Sequence, residues 1–162
     1  MSQYRITLVC MGNICRSPIA EAVLRAEFAR AGLGDRVAVD SAGTGAWHIG
    51  EDADPRARAV LQRRGYALSH AARQFDPAWF GSRDLILALD ESNLRALQRL
   101  APDRDAAGRL RLLRSYDPEA DGVDLDVPDP YYGGHDGFEQ VLTLIEAAAA
   151  GVVAHVARET DR

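Results

Sequence analysis

The apolar positions change period along the chain, and each change marks an element. Tyr4 to Val9 is rich in β-forming residues and ends on the apolar pair Leu8-Val9, which predicts a buried strand. Ser17-Pro18 opens a helical run, since serine suits an N-cap and proline a first turn. Ile19, Val23 and Ala26 keep helical spacing until Gly32. Val37 to Asp40 reads as a short second strand. Asp54-Pro55 starts another helix, with Ala57, Val60 and Leu61 on one face and Gly65 past its end. Asp84 to Leu89 reads as a buried strand, after which Asp90 caps a helix bearing Leu94 and Leu97 that Pro102 stops. Leu110 to Leu113 is a fourth strand. Phe138, Val141, Leu142 and Ile145 mark a last amphipathic helix that Gly151 either ends or interrupts. Between Ser115 and His135 no periodicity appears, and a segment of that length without structure generally serves a site.

Strands alternating with helices predict an α/β fold with a parallel sheet and helices on both faces. Ligands of such folds gather beyond the carboxyl ends of the strands, near the point where the strand order reverses. The turn after the first strand is therefore the first place to look for chemistry. With 162 residues, no repeat, no linker and only Ala147 to Ala150 of low complexity, the chain reads as one domain over 1–162.

Composition narrows the chemistry. Hydrophobic residues make up 47% and charged residues 27%, an ordinary globular balance. The net charge is −5, which argues against general affinity for nucleic acid or an anionic membrane. All 19 basic residues are arginine. Without lysine there is no Schiff-base amine, no pyridoxal phosphate anchor and no Walker A loop, whereas guanidinium recognition of phosphate stays available. Cys10 and Cys15 are too few for a disulfide scaffold and, with no histidine nearby, make a poor zinc site; no metal or cofactor is expected. The start MSQYRITLV lacks the marks of a signal peptide, and no segment is expected to approach the roughly 20 apolar residues of a membrane span. A cytoplasmic location is expected, with leaderless secretion left open.

The first turn reads Cys10-Met11-Gly12-Asn13-Ile14-Cys15-Arg16-Ser17-Pro18. A loop entering a helix aims several backbone N–H groups at one spot, and with the helix dipole they form an anion site. Gly12 and Asn13 tolerate the left-handed backbone that a tight phosphate-cradling turn needs. Arg16 offers a planar fork for two phosphate oxygens. Cys10 ends the strand beneath this pocket, where the field that binds phosphate also favours thiolate over thiol. A thiolate there is placed for in-line attack on phosphorus, and Ser17 can donate a hydrogen bond to the sulfur. A departing aryl oxygen needs a proton, and the aperiodic segment offers Asp117, Glu119, Asp121, Asp124, Asp126 and Asp129 for it. The residues alone do not choose among these six.

The stretch Cys10 to Glu21, CMGNICRSPIAE, resembles the signature of the low molecular weight protein tyrosine phosphatases. The similarity continues through Asp40-Ser41-Ala42-Gly43-Thr44, Trp47, Ser69-His70 and Asp129-Pro130-Tyr131-Tyr132, and so covers nearly the whole chain. It implies a three-layer fold with a four-stranded parallel sheet in the order 2-1-3-4, flanked by helices on both faces. It also implies hydrolysis of phosphotyrosine in proteins, and of small aryl phosphates, through a cysteinyl-phosphate intermediate without a metal. On this resemblance Cys10 is the nucleophile, Arg16 binds phosphate and Asp129 is the general acid and base. Met11, Gly12, Asn13, Ile14, Cys15 and Ser17 complete the phosphate-binding loop, with Ser41 and His70 supporting Asn13 from beneath. Trp47, Tyr131 and Tyr132 wall a pocket whose depth excludes phosphoserine, while His48 receives no catalytic role. Cys15 matches a thiol that in the family traps an oxidised nucleophile as a reversible disulfide. The implied partners are a tyrosine-phosphorylated protein, a bacterial tyrosine kinase among the candidates, and inorganic phosphate or another oxyanion.

Three rival readings remain. Arsenate reductases on this fold pass a disulfide along a chain of thiols, and here no cysteine follows Cys15. Protein-arginine phosphatases are expected to carry threonine where Ile14 stands, and an apolar group there favours phosphotyrosine. An idle phosphate-binding module fits poorly with nucleophile, arginine, serine and acid all present.

Overall fold

The computed structural model describes residues 3–120, 122–131, 133 and 135–161. Four strands, β1 (Tyr4–Cys10), β2 (Val37–Gly43), β3 (Leu85–Ala88) and β4 (Leu110–Leu112), form one sheet in the order β2-β1-β3-β4. Every neighbouring pair is parallel, with Cys10 opposite Gly43 and Val9 opposite Ala88. This is the topology that the family resemblance implies. From β1 the chain moves to one side to make β2, then crosses back to make β3 on the other. The reversal of order therefore falls at β1, whose carboxyl end carries Cys10.

Strand burial explains the layers. Side chains alternate along β1, so Ile6, Leu8 and Cys10 join the core beneath α1 (Arg16–Arg30), α2 (Pro55–Arg63) and α5 (His135–Thr160). Val9 points the other way, into a smaller cluster with Ile86, Ala88 and Phe80 that α3 (Glu91–Leu100) and α4 (Arg104–Ala107) close through Leu97 and Ala106. All four residues of β3 are buried, as a strand covered on both faces requires.

Helix starts follow the expected chemistry at two places and depart from it at a third. Asp54 caps α2 by accepting the Arg56 N–H, and Asp90 caps α3 by accepting the Asn93 N–H. At α1 the expected serine cap is absent. The helix begins at Arg16, its N-cap is Cys15 without a side-chain cap bond, and the Ser17 hydroxyl bonds Cys10 and Asn13 instead. β2 runs to Gly43, three residues past the expected end, because Ser41 to Gly43 pair with Leu8 to Cys10.

The last helix needs two corrections. α5 continues through Gly151, so this glycine neither ends nor interrupts it. A Cβ at 151 would collide with the backbone carbonyl of Tyr116, so glycine is what lets the helix lie against that turn. Contrary to the sequence expectation, Asp136–Thr160 is long and apolar enough to resemble a membrane span. Here, however, its apolar face is core: Phe138, Val141, Leu142, Ile145, Ala148, Ala149, Val152 and Val156 are all fully buried.

Candidate active site

β1 delivers Cys10 to the carboxyl edge of the sheet, and the chain turns through Met11 to Cys15 into α1. Asn13 has φ 58°, the one non-glycine residue with positive φ among the described residues. Four hydrogen bonds keep it there. Its Nδ2 donates to Ser17 Oγ at 2.8 Å and to Ser41 Oγ at 3.0 Å. Its Oδ1 accepts the Arg73 N–H at 3.0 Å, and its carbonyl accepts from His70 Nε2 at 2.6 Å. The Ser41 hydroxyl donates in turn to Glu21 Oε1 at 2.6 Å, and Arg25 pairs with that buried glutamate. Since Ser17 Oγ already accepts from Asn13, its proton is available to Cys10 Sγ, 3.0 Å away.

The loop's carbonyls turn outward. Thr44 N–H takes Cys10 O, Gly45 N–H takes Met11 O and Asp54 N–H takes Ile14 O, all between 2.8 and 2.9 Å. Among the described residues no acceptor takes the N–H groups of Gly12, Asn13, Ile14 or Cys15. They are left for an anion at the start of α1. Gly43 allows the close approach of β2, since a Cβ there would stand 2.7 Å from Met11 O.

Arg16, only 2% exposed, is fixed from the far side. Its Nη1 donates to Asp90 Oδ2 at 2.7 Å and to Val127 O at 2.9 Å, and its Nη2 lies 3.7 Å from Asp129 Oδ2. Burial works against the guanidinium charge, but Cys10, Asp90 and Asp129 outweigh it, so the Arg16 pKa is held above its ordinary value. The Asp129 carboxylate also accepts the Tyr131 N–H through Oδ1 at 3.1 Å.

These groups surround a cavity of about 310 Å³. Buried Cys10 and Arg16 lie within it, and exposed Met11, Trp47 and Tyr131 stand at its mouth. Trp47 is 70% exposed, leaving most of its ring free for a ligand. Cys15, also on the lining, is held as a thiol. Burial first, then the negative field of Asp54, Cys10 and Asp129, pushes its pKa up to about 12.

The family model described as low molecular weight phosphotyrosine protein phosphatase matches residues 5–162. The chain belongs to that family. It is 60% identical over 158 residues to a low molecular weight protein-tyrosine-phosphatase of Streptomyces coelicolor, covering 98% of this chain and 96% of that one. It is 47% identical to low molecular weight protein-tyrosine phosphatase A of Mycobacterium bovis, over 91% of this chain and 88% of that one. Its fold superposes with a TM-score of 0.92 on a protein tyrosine phosphatase of Entamoeba histolytica whose structure holds Hepes in the active site. That pair is 32% identical over 97% of this chain and 99% of the other.

Most residues expected of this phosphatase fold meet at the one cavity or directly behind it. Cys10, Met11, Gly12, Ile14, Cys15, Arg16, Trp47, Asp129 and Tyr131 line it, while Asn13, Ser17, Ser41 and His70 form the layer behind. Tyr132 and Asp121 lie outside the described residues. Three of the other loop acids serve turns and caps: Asp117 accepts from the Glu119 N–H, Asp124 from the Asp126 N–H, and Asp126 from the Glu91 N–H at the start of α3. Sequence reasoning gave Asp90 only a capping role, gave Glu21 none, and missed that His48 lines the cavity. For Glu21 a signal existed. It sits one helical turn after Ser17, on the same face: Ser17 meets Asn13 and Glu21 meets Ser41.

Proposed function

We propose that the chain hydrolyses phosphotyrosine in proteins, and small aryl phosphates, by way of a phosphorylated Cys10. The observation that carries this reading is the Cys10 sulfur 3.0 Å from the Ser17 hydroxyl, at the floor of a loop whose free N–H groups and buried Arg16 suit a phosphoryl group. The sulfur attacks phosphorus in line, and the aryl oxygen leaves with a proton from Asp129. The Asp129 carboxylate then takes a proton from water, whose oxygen attacks phosphorus. Phosphate departs and the sulfur leaves as thiolate, stabilised by the Ser17 O–H. Arg16 follows the oxygens through both steps because Asp90 holds its other edge.

Trp47 and Tyr131 give the leaving ring flat walls, which a serine side chain is too short to reach past. Ile14 presents an apolar group to the cavity, which favours an aromatic ester over phosphoarginine. Thiol-relay arsenate reduction has only Cys10 and Cys15 to draw on. A reducing compartment such as the cytoplasm suits an enzyme whose nucleophile must remain a free thiol. The physiological substrate is then a tyrosine-phosphorylated protein, with a bacterial tyrosine kinase as the first to try.

The experiment is a substrate profile on purified protein, with acid-quenched phosphorus-31 spectra of the reaction. Phosphotyrosine peptide turned over faster than phosphoserine, phosphoarginine or arsenate, together with a sulfur–phosphorus signal, supports the reading. Absence of turnover on aryl phosphates removes it.

A further inference from the structure

Residues 117–133 form no helix or strand in the described chain, yet they present Asp129 to the cavity. Their first half is tied down well. Arg114 Nη1 donates to the carbonyls of Asp124 and Asp126 at 3.1 and 2.9 Å. Val127 N–H meets Leu89 O at 2.8 Å, and Val127 O meets Arg16. Beyond Val127 the segment leaves the sheet, and Asp129 and Tyr131 are exposed.

Arg16 approaches the Asp129 carboxylate from α1, and a second arginine takes the backbone of the segment beyond it. Arg56, in the first turn of α2, donates from Nη2 to Tyr131 O at 2.8 Å and from Nη1 to Gly133 O at 2.9 Å. Its Nε and Nη2 grip both oxygens of Asp54 at 3.0 Å. Its guanidinium lies 4.7 Å from the Phe138 ring centroid in α5. Asp54 in turn donates its backbone N–H to Ile14 O of the phosphate loop at 2.8 Å. Tyr131 is the residue whose N–H holds the Asp129 carboxylate. The connection is thus continuous: Asp129 to Tyr131, Tyr131 to Arg56, Arg56 to Asp54, Asp54 to the loop that cradles phosphate.

We infer that Arg56 is a positioning residue that sets Asp129 at the right reach for proton transfer by fastening the backbone of its segment to the phosphate loop. This rests on Asp129 being the general acid, as proposed above. Arg56 itself touches no reacting atom. A guanidinium suits the task because its planar fork bonds a carboxylate along one edge while its remaining N–H groups serve two carbonyls; a lysine ammonium cannot span that set.

The consequence is selective. Misplacing an acid slows only steps that need its proton, whereas disturbing the phosphate loop slows everything. The test measures kcat/KM for phenyl phosphate and for 2,4-dinitrophenyl phosphate, with the inhibition constant of inorganic phosphate, in Arg56→Met and Arg56→Lys. The two variants report the same quantity, and Arg56→Lys keeps the charge and the stem over Phe138. Each is also combined with Asp129→Ala.

We expect phenyl phosphate turnover to fall about tenfold or more, dinitrophenyl phosphate turnover to fall less than about threefold, and the phosphate inhibition constant to stay within about twofold. In the Asp129→Ala background the Arg56 substitutions should cost phenyl phosphate less than about a further twofold. Equal loss on both esters, additive loss with Asp129→Ala, or a raised phosphate constant each overturns the inference. Wild-type protein inert on aryl phosphates overturns the proposed activity, whereas active Arg56 variants with wild-type leaving-group dependence overturn only the role of Arg56.

Discussion

The phosphate loop, residues 10–17, and the acid segment, residues 117–133, meet at one cavity but are held in different ways. The first is short, buried and bonded through side chains: Asn13, Ser17, Ser41, His70 and Glu21 form a closed set of donors and acceptors around its backbone. Its carbonyls are taken from behind, which leaves its N–H groups to meet an anion. The acid segment is long, half exposed and held through its backbone. Its carbonyls are taken by Arg114, Arg16 and Arg56, each reaching in from another element. The contrast suits the chemistry. A phosphate cradle must be rigid, because its donors act together on one charge. An acid need only arrive at one oxygen, and a segment pinned at intervals does that while leaving the mouth open to a protein substrate.

Several changes separate the two. Cys10→Ser should lower p-nitrophenyl phosphate turnover by roughly 10⁴-fold or more while phosphate affinity in equilibrium binding stays within about tenfold, because the cradle is built without the sulfur. Loss of phosphate binding would show that the loop depends on its nucleophile. Asp129→Ala should slow phenyl phosphate by about 10²-fold or more and an activated dinitrophenyl ester far less. Uniform loss on both would take Asp129 out of the acid role.

Asn13 probes the cradle's rigidity more gently. Replacing it removes the carboxamide that Ser17, Ser41 and Arg73 share. Asn13→Ala should therefore destabilise the fold in urea by about 2–4 kcal/mol. Asn13→Gly should be milder by about 1 kcal/mol, since only alanine is strained at positive φ. Equal stability of the two variants would mean that the left-handed turn is not under constraint.

Cys15 gives a pH dependence. Its pKa is about 9 as an ordinary thiol and is pushed up to about 12 in the fold. Above pH 9 the unfolded chain has released this proton and the folded chain has not, so stability falls as pH rises through the window from 9 to 12. Tyr4 and Tyr66, raised from 10 to about 12, add to the decline only from pH 10 upward. In Cys15→Ala the urea midpoint should be flat between pH 9 and 10, where the parent's falls. An unchanged slope there would assign the decline elsewhere.

The smallest effect expected is none. EDTA should alter turnover by less than about twofold, because Arg16 and the loop amides supply the positive charge that a metal would bring. Activity lost to EDTA and restored by a divalent cation would contradict this.

Legibility in the sequence followed the same division. The phosphate loop was readable because its groups are consecutive and its strand-to-helix turn is marked by a change of period. The acid was not: six carboxylates share one aperiodic stretch, and only the family likeness of Asp129-Pro130-Tyr131-Tyr132 singled one out. Asp90 was legible as a cap, but its hold on Arg16 was hidden, since the partners are 74 positions apart. Arg56 looked like one of 19 arginines.

Strand and helix periods, the caps at Asp54 and Asp90, and the run from Cys10 to Ser17 are written in neighbouring residues, where spacing alone carries the physics. The order of the strands came by resemblance to a family. Folding in three dimensions decided which acid faces Arg16, that Ser17 serves the sulfur rather than a helix cap, and that Gly151 lies inside a helix pressed on Tyr116. Those outcomes depend on groups brought together from distant parts of the chain, and a hydrogen bond between them leaves no periodic trace in the order of the residues.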